Sequence, residues 1–310
     1  MHTPVLLKEV LEILKPKDGE TYVDATFGAG GYTQAILESC NCNVIALDRD
    51  ETVIPRALEF KEKYGERFQF HSTIFSEIDE ILAGAKVDGI IADFGVSSMQ
   101  LDTEERGFSF QKDAKLDMRM GKEGLSAFQV VNSFPEPELM QIIQKYGEER
   151  LARKIANFIV RERSKAEIKT TLQLASIVKE AYGSEARYTK INPATKTFQA
   201  IRIFINNELY EIETLLEKSI TSLKAEGRLI TVSFHSLEDS IVKEFLNENT
   251  DAKKKVNKYA EFSKSSQTEE LKHFKLITKG AVMPSDLEVK ANVRSRSAKL
   301  RGAMKMTSEA

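Results

Sequence analysis

The chain has 310 residues, 41% of them apolar and 30% charged, a composition that supports one large or two modest globular domains and argues against disorder as the main state. Its 45 Lys and Arg against 47 Asp and Glu leave a net charge of −2, which excludes globally basic nucleic-acid binding and leaves room for a local basic surface. No apolar run approaches the ~20 residues of a bilayer span, and Val5-Leu6-Leu7 is followed at once by Lys8 and Glu9, so neither a membrane span nor a signal peptide is expected and the cytosol is the expected compartment.

From Thr21 to Asp93 short β-branched runs alternate with helical patterns, the signature of βαβ units on a parallel sheet. Strands are expected at Thr21 to Ala25, Val44 to Asp48, Arg67 to His71 and Val87 to Asp93, with helices at Tyr32 to Ser39, Thr52 to Tyr64 and Ser76 to Ala83, the last capped by Ser76. Near the C-terminus Arg228 to Phe234, Phe274 to Thr278 and Ser297 to Gly302 read as three more strands, and Leu237 to Asn247 as a helix. Seven strands in one parallel sheet follow. The long interval between the fourth and fifth strands exceeds any ordinary connection and must hold a further domain. It reads as helical at Glu136 to Tyr146, Glu148 to Arg163 and Thr171 to Ala181. A long pattern then opens at Asn192-Pro193, with Phe198, Ile201, Ile205, Leu209, Ile212, Leu216, Ile220 and Leu223 on one buried stripe. The second half of that stripe is expected to pack on the sheet. The expected division is 1–106 with 198–310 for the sheet domain and 107–197 for the insert. The polar stretch Asn247 to Glu270 reads as a surface loop.

Cys40 and Cys42 are the only cysteines and lie too close for an unstrained disulfide; with the four histidines scattered, no metal centre is expected. After the first strand, Asp24-Ala25-Thr26-Phe27-Gly28-Ala29-Gly30-Gly31-Tyr32 forms a glycine-rich turn into a helix. Glycines there permit a tight turn and a close approach to a ligand, but Thr33 stands where a dinucleotide fingerprint has its third glycine. The second strand ends at Asp48, placed to accept the two hydroxyls of a ribose. Either feature alone is equally well a tight βα turn or a solvated strand end; together they favour an adenosyl ligand. Asp93 ends the fourth strand at the same edge and is the candidate acceptor for a substrate amine, its plain alternative being a strand-end cap. His235 is the second candidate, although Ser236 and Asp239 read as a capping box that accounts for the segment structurally.

The offset glycine cluster, its leading Asp and the seven strands resemble the Rossmann-like, class I S-adenosylmethionine-dependent methyltransferases. The run Gly95-Val96-Ser97-Ser98-Met99-Gln100-Leu101-Asp102, with Arg106-Gly107-Phe108-Ser109-Phe110 and Leu116-Asp117-Met118-Arg119-Met120, narrows this. So do His2-Thr3-Pro4-Val5-Leu6-Leu7, Tyr146-Gly147-Glu148-Glu149-Arg150, Pro193 to Ala200, Ser233-Phe234-His235-Ser236-Leu237-Glu238-Asp239 and Arg294-Ser295-Arg296-Ser297. Together they resemble the MraW family almost end to end. The resemblance implies an α/β class I methyltransferase sheet with an inserted, mainly helical recognition domain. It implies methyl transfer from S-adenosyl-L-methionine to N4 of a decoding-centre cytidine in 16S rRNA. Cofactor contacts carry over to Gly30, Gly31, Tyr32, Asp48, Phe75, Asp93 and Gln100. Tyr32, Phe94, Met99 and Asn192 replace the family's more frequent His, Leu, Pro and His.

Implied partners are 16S rRNA or the small ribosomal subunit, with a homodimer left open. Arg150, Lys154, Asn157 and Arg161 share one helix face, and Lys290, Arg294, Arg296, Lys299, Arg301 and Lys305 form a second basic group. Each is an expected RNA contact or, read from charge alone, a solvated face. Two rival readings are a nicotinamide oxidoreductase, which shares the βαβ start and Asp48, and a non-catalytic RNA-binding module, which needs neither the glycine loop nor Asp48.

Overall fold

The structure is a computed structural model that describes residues 4–189, 191–251 and 272–307; His2, Thr3 and the 247–270 stretch from 252 onward lie outside them. In chain order it runs α1 (Leu7–Leu14), β1 (Thr21–Asp24), α2 (Gly31–Ser39), β2 (Asn43–Asp48), α3 (Ile54–Tyr64), β3 (Phe68–Ser72), α4 (Ile78–Leu82), β4 (Val87–Asp93), α5 (Ser98–Asp102), α6 (Ala127–Ser133), α7 (Glu136–Gly147), α8 (Ala152–Arg163), α9 (Thr171–Tyr182), α10 (Ala194–Asn206), α11 (Glu208–Ser222), β5 (Leu223–Ser233), α12 (Ser236–Asn249), β6 (Phe274–Leu276), α13 (Asp286–Ala291) and β7 (Lys299–Lys305). None of the described helices is long and apolar enough to cross a membrane. The chain divides into two compact units, Met1–Gly95 with Leu209–Ala310, and Val96–Glu208.

The first unit is built on a seven-stranded sheet in the order β3-β2-β1-β4-β5-β7-β6. The expectation of an all-parallel sheet needs correction: β3, β2, β1, β4 and β5 are parallel, but β7 runs antiparallel to both β5 and β6. The crossover through α12 sets β6 one position away from β5, and β7 returns from the edge where β6 ends, filling the gap in the opposite direction. Consecutive residues alternate between two cores. Tyr22, Ile91 and Ile230 face Leu14, Ile36 and Phe60 on one side, while Val23, Ile90 and Leu229 face Ile78, Leu216 and Phe245 on the other. Because both faces are covered, β4 is apolar and buried from Gly89 to Ala92, between Asp88 near its start and Asp93 at its end.

The stripe expected to run unbroken from Phe198 to Leu223 is cut at Asn207, whose φ of 53° is left-handed and closes α10. Asn tolerates that conformation better than most residues. Phe198 and Ile201 therefore join the core of the second unit, and Ile212 and Leu216 that of the sheet. The insert is accordingly wider on both sides than the 107–197 span read from the sequence.

The second unit packs α6 to α10 around Leu139, Ile143, Ile155, Ile159, Leu174 and Val178. Capping boxes at Ser97/Gln100, Ser126/Gln129 and Thr170/Gln173 start three of its helices. The helix expected from Glu148 begins only at Ala152, because Glu148 is left-handed at φ 48° and ends the preceding helix. Within this unit Arg202 donates two hydrogen bonds of 2.8 Å to the Glu208 carboxylate. Asn206 accepts from the Met120 N–H and donates to the Met118 carbonyl, fixing the loop that crosses it. A Cβ added at Gly147 would lie 2.7 Å from the carbonyl oxygen of Lys196, so α7 and α10 touch backbone to backbone there. Gly147→Ala should cost about 1–3 kcal/mol, because rigid backbone rather than a flexible side chain must give way. The check is a lowered melting temperature; an unchanged one would show that the two helices part easily.

Candidate active site

The turn after β1 is held by hydrogen bonds the sequence spells out. Asp24 is fully buried and accepts from the Thr33 hydroxyl at 2.7 Å and the Thr26 N–H at 3.2 Å. Thr33, which breaks the dinucleotide pattern, is thus committed to shaping this turn. The Gly28 N–H donates to Asp48 Oδ2 at 2.8 Å, so the acid at the tip of β2 clasps the glycine loop directly. Gly30 caps α2 at φ 79°, and a Cβ there would fall 2.5 Å from Phe60 Cζ. A Cβ on Gly31 would fall 2.2 Å from Pro4 Cγ. Packing inside the protein therefore requires both glycines, independently of any ligand. The N-terminal segment lies over this loop, with the Tyr32 hydroxyl donating to the Val5 carbonyl and the Leu6 N–H to Glu288. That strap was not visible in the sequence, although Pro4-Val5-Leu6 belonged to a motif.

Asp48 Oδ1 accepts the Asp50 N–H at 2.8 Å, so each carboxylate oxygen carries one backbone donor and keeps a second lone pair for another. Burial pushes its pKa up to about 6 against these two bonds, with Asp50 and Asp24 adding to the rise. Asp93 ends β4 with its N–H on Thr26 Oγ1 at 2.8 Å. Its Oδ1 is buried without a hydrogen-bond partner. Burial, then Asp24 and Glu238, hold the Asp93 carboxyl well above the usual range, and the neighbouring Tyr32 hydroxyl opposes them. No Lys or Arg among the described residues pairs with Asp24, Asp48 or Asp93. Such an edge suits a cationic adenosyl ligand: hydroxyl acceptors at Asp48 and an unmet buried acceptor at Asp93.

Phe75 opens the turn after β3, partly exposed, with its ring 6.0 Å from that of Phe94. Gln100 lies in the second unit, where its Oε1 accepts the Ser97 N–H at 3.0 Å in a helix cap. That commitment is a structural role the sequence did not reveal. At the end of β5 the cap of α12 is His235 with Glu238, correcting the expected Ser236/Asp239 box. Glu238 is fully buried and takes the Phe234 and His235 N–H groups at 2.7 and 3.2 Å. Asp239 instead binds Lys299 and Arg301, which removes two cations from the C-terminal basic group. The basic face expected around α8 is also largely neutralised: Arg150, which lies before the helix, pairs with Glu185, Arg161 pairs with Glu162 and Glu180, and Asn157 bonds Glu136. Cap assignment corrects elsewhere too, since Ser76 sits buried inside the turn it was expected to start.

These acids tie stability to pH. The folded protein keeps on Asp93 a proton that the unfolded chain gives up near pH 4, about the ordinary Asp value. Stability from this group is therefore present below about pH 4 and is lost as the pH rises through the raised folded-state value. Asp93→Asn should melt a few degrees higher than wild type at about pH 7.5 and equal it at about pH 4. Thermal scans at the two pH values decide; a variant less stable at the higher pH would mean that the carboxylate is paired.

Residues 1–306 match the MraW methylase family. Ribosomal RNA small subunit methyltransferase H of Rickettsia massiliae is 54% identical over 302 residues, 97% of each chain. The protein of that name from Rickettsia felis is 52% identical over 305 residues, 98% of each chain. A solved rRNA methylase from Streptococcus thermophilus aligns over 99% of both chains at 10% identity with a TM-score of 0.43, too distant to bear on the site. The glycine loop clasped by Asp48, the acid ending β4 and the end-to-end match agree: the chain belongs to the MraW methylase family and is an S-adenosyl-L-methionine-dependent methyltransferase.

Proposed function

We propose that the chain methylates the exocyclic N4 amine of a cytidine in the decoding centre of 16S rRNA, in the cytoplasm, with the Val96–Glu208 unit recognising the RNA. The name shared by its 52–54% identical relatives supports the RNA class. The observation that carries the reaction type is Asp93, a buried carboxyl at the end of β4 with one oxygen free of hydrogen bonds.

S-adenosyl-L-methionine supplies an electrophilic methyl group on a cationic sulfur, so the protein's work is to aim the nucleophile and keep water out. Asp48 holds the ribose through its two remaining lone pairs, and Phe75 lies beside the adenine in this reading. A cytosine amine has its lone pair spread into the ring. An acceptor on its N–H groups localises that pair on nitrogen and takes up positive charge as the bond forms. Binding the cationic cofactor favours the carboxylate form of Asp93, and its Oδ1 is the acceptor we assign. Every residue in this scheme lies on one chain, so it holds equally for a monomer and a homodimer.

Methyl incorporation from labelled cofactor into small-subunit RNA, with the product base identified by mass spectrometry, tests the proposal; N4-methylcytidine is expected, and its absence overturns the reading. Asp48→Ala should weaken cofactor binding more than tenfold in calorimetry, since two charge-assisted bonds of roughly 1.5–3 kcal/mol each are lost. Unchanged affinity would remove Asp48 from the ribose. Asp93→Asn should lower turnover at saturating cofactor and RNA. A fall in cofactor affinity alone would make Asp93 a binding residue.

A further inference from the structure

Within the Val96–Glu208 unit, an exposed aromatic and an exposed cation lie on one turn, followed along the chain by a half-buried lysine, away from the basic stripe read from the sequence. Tyr188 is 86% exposed, the most of any large apolar side chain among the described residues. It ends a tight turn, Gly183–Tyr188, that the Thr189 hydroxyl closes by donating to the Ala186 carbonyl at 3.0 Å. The ring is therefore presented outward by an ordered turn. Arg187 beside it is exposed and has no acidic partner among the described residues. Immediately after comes a hollow of about 390 Å³ lined by Tyr182, Thr189, Ile191, Asn192 and Lys196 together with Glu148, Glu149 and Arg150; the Glu149 carboxylate accepts the Tyr182 hydroxyl at 2.6 Å. Lys196 Nζ donates to the Glu148 carbonyl at 2.9 Å and meets no carboxylate. The two acids flanking this turn are already matched, Glu185 by Arg150 and Glu180 by Arg161.

We propose that this rim binds an unpaired stretch of the RNA, with one base stacked on Tyr188 and backbone phosphates at Arg187 and Lys196. This rests on the rRNA methyltransferase reading. A two-torsion aromatic ring costs little entropy to hold, offers a face to any base and, beside unmatched cations, suits single-stranded RNA. A protein partner would want a continuous apolar surface, and here Ile191, 48% exposed, is the one other large apolar side chain of the turn and rim that is exposed.

The test uses the full chain and a fluorescein-labelled single-stranded oligoribonucleotide carrying the target sequence. Tyr188→Ala should weaken binding about tenfold, and Tyr188→Phe should keep it, because stacking needs the ring and not the hydroxyl. With small-subunit RNA as substrate, Tyr188→Ala should raise KM and leave kcat and cofactor affinity unchanged. Arg187→Gln should reduce the salt dependence of binding by about one counterion. Wild-type methylation with unchanged oligonucleotide affinity and KM in Tyr188→Ala overturns this proposal alone. Loss of activity on assembled subunits with oligonucleotide binding intact would also overturn it, in favour of a protein contact. A wild-type chain that methylates no RNA overturns instead the functional reading beneath it.

Discussion

Asp24, Asp48 and Asp93 end three adjacent strands, so the register of the sheet brings their carboxyl groups together whether or not a ligand is bound. Dehydrating carboxyl groups without cations works against folding, and the surrounding structure must offset it. Two apolar faces do so, where side chains such as Ile90, Ile91, Leu229 and Ile230 are fully or almost fully buried and each contributes roughly 1.5–3 kcal/mol. The backbone donors of Gly28 and Asp50, and the hydroxyl of Thr33, take up part of the charge locally. What is left at Asp93 is an acceptor oxygen whose demand the protein itself does not meet.

Strand order on the first half of the sheet was legible because βα alternation and the terminal acids carry their own signals. Asp48 and Asp93 sit where a period-two strand ending in a carboxylate must put them. The direction of β7 was not legible: Lys299–Lys305 has the same local pattern whichever way it pairs, and only the crossover through α12 decides. The break at Asn207 was hidden for a related reason. The apolar spacing continues across it, and one left-handed residue redirects the chain without disturbing that period. At glycines 30 and 31 only packing discloses a second constraint, the rings of Phe60 and Phe27 at the first and the ring of Pro4 at the other.

The basic residues teach a different lesson. A helical wheel places Arg150, Lys154 and Arg161 together, but it cannot show Glu185 and Glu180 arriving from a later helix and turn to pair with them. Exposed ion pairs of this kind are worth little in stability, yet they do cancel the local field that a phosphate backbone would seek. Counting cations along one helix therefore overstates its attraction for RNA, and the unmatched cations stand elsewhere.

The position of β7 between β5 and β6 also governs when each part of the molecule can form. The core of the second unit is drawn from residues between Val96 and Ile205, so it is complete well before the last strand has been synthesised. The sheet cannot close until residues 299–305 slide between two strands made earlier. During that interval β5 has an open edge, a template for mispairing that persists longest when translation is slow. The nascent chain thus carries a finished helical unit on an unfinished sheet, and the α2 loop with its clasping acid takes shape inside a domain whose far side is still waiting for its strand.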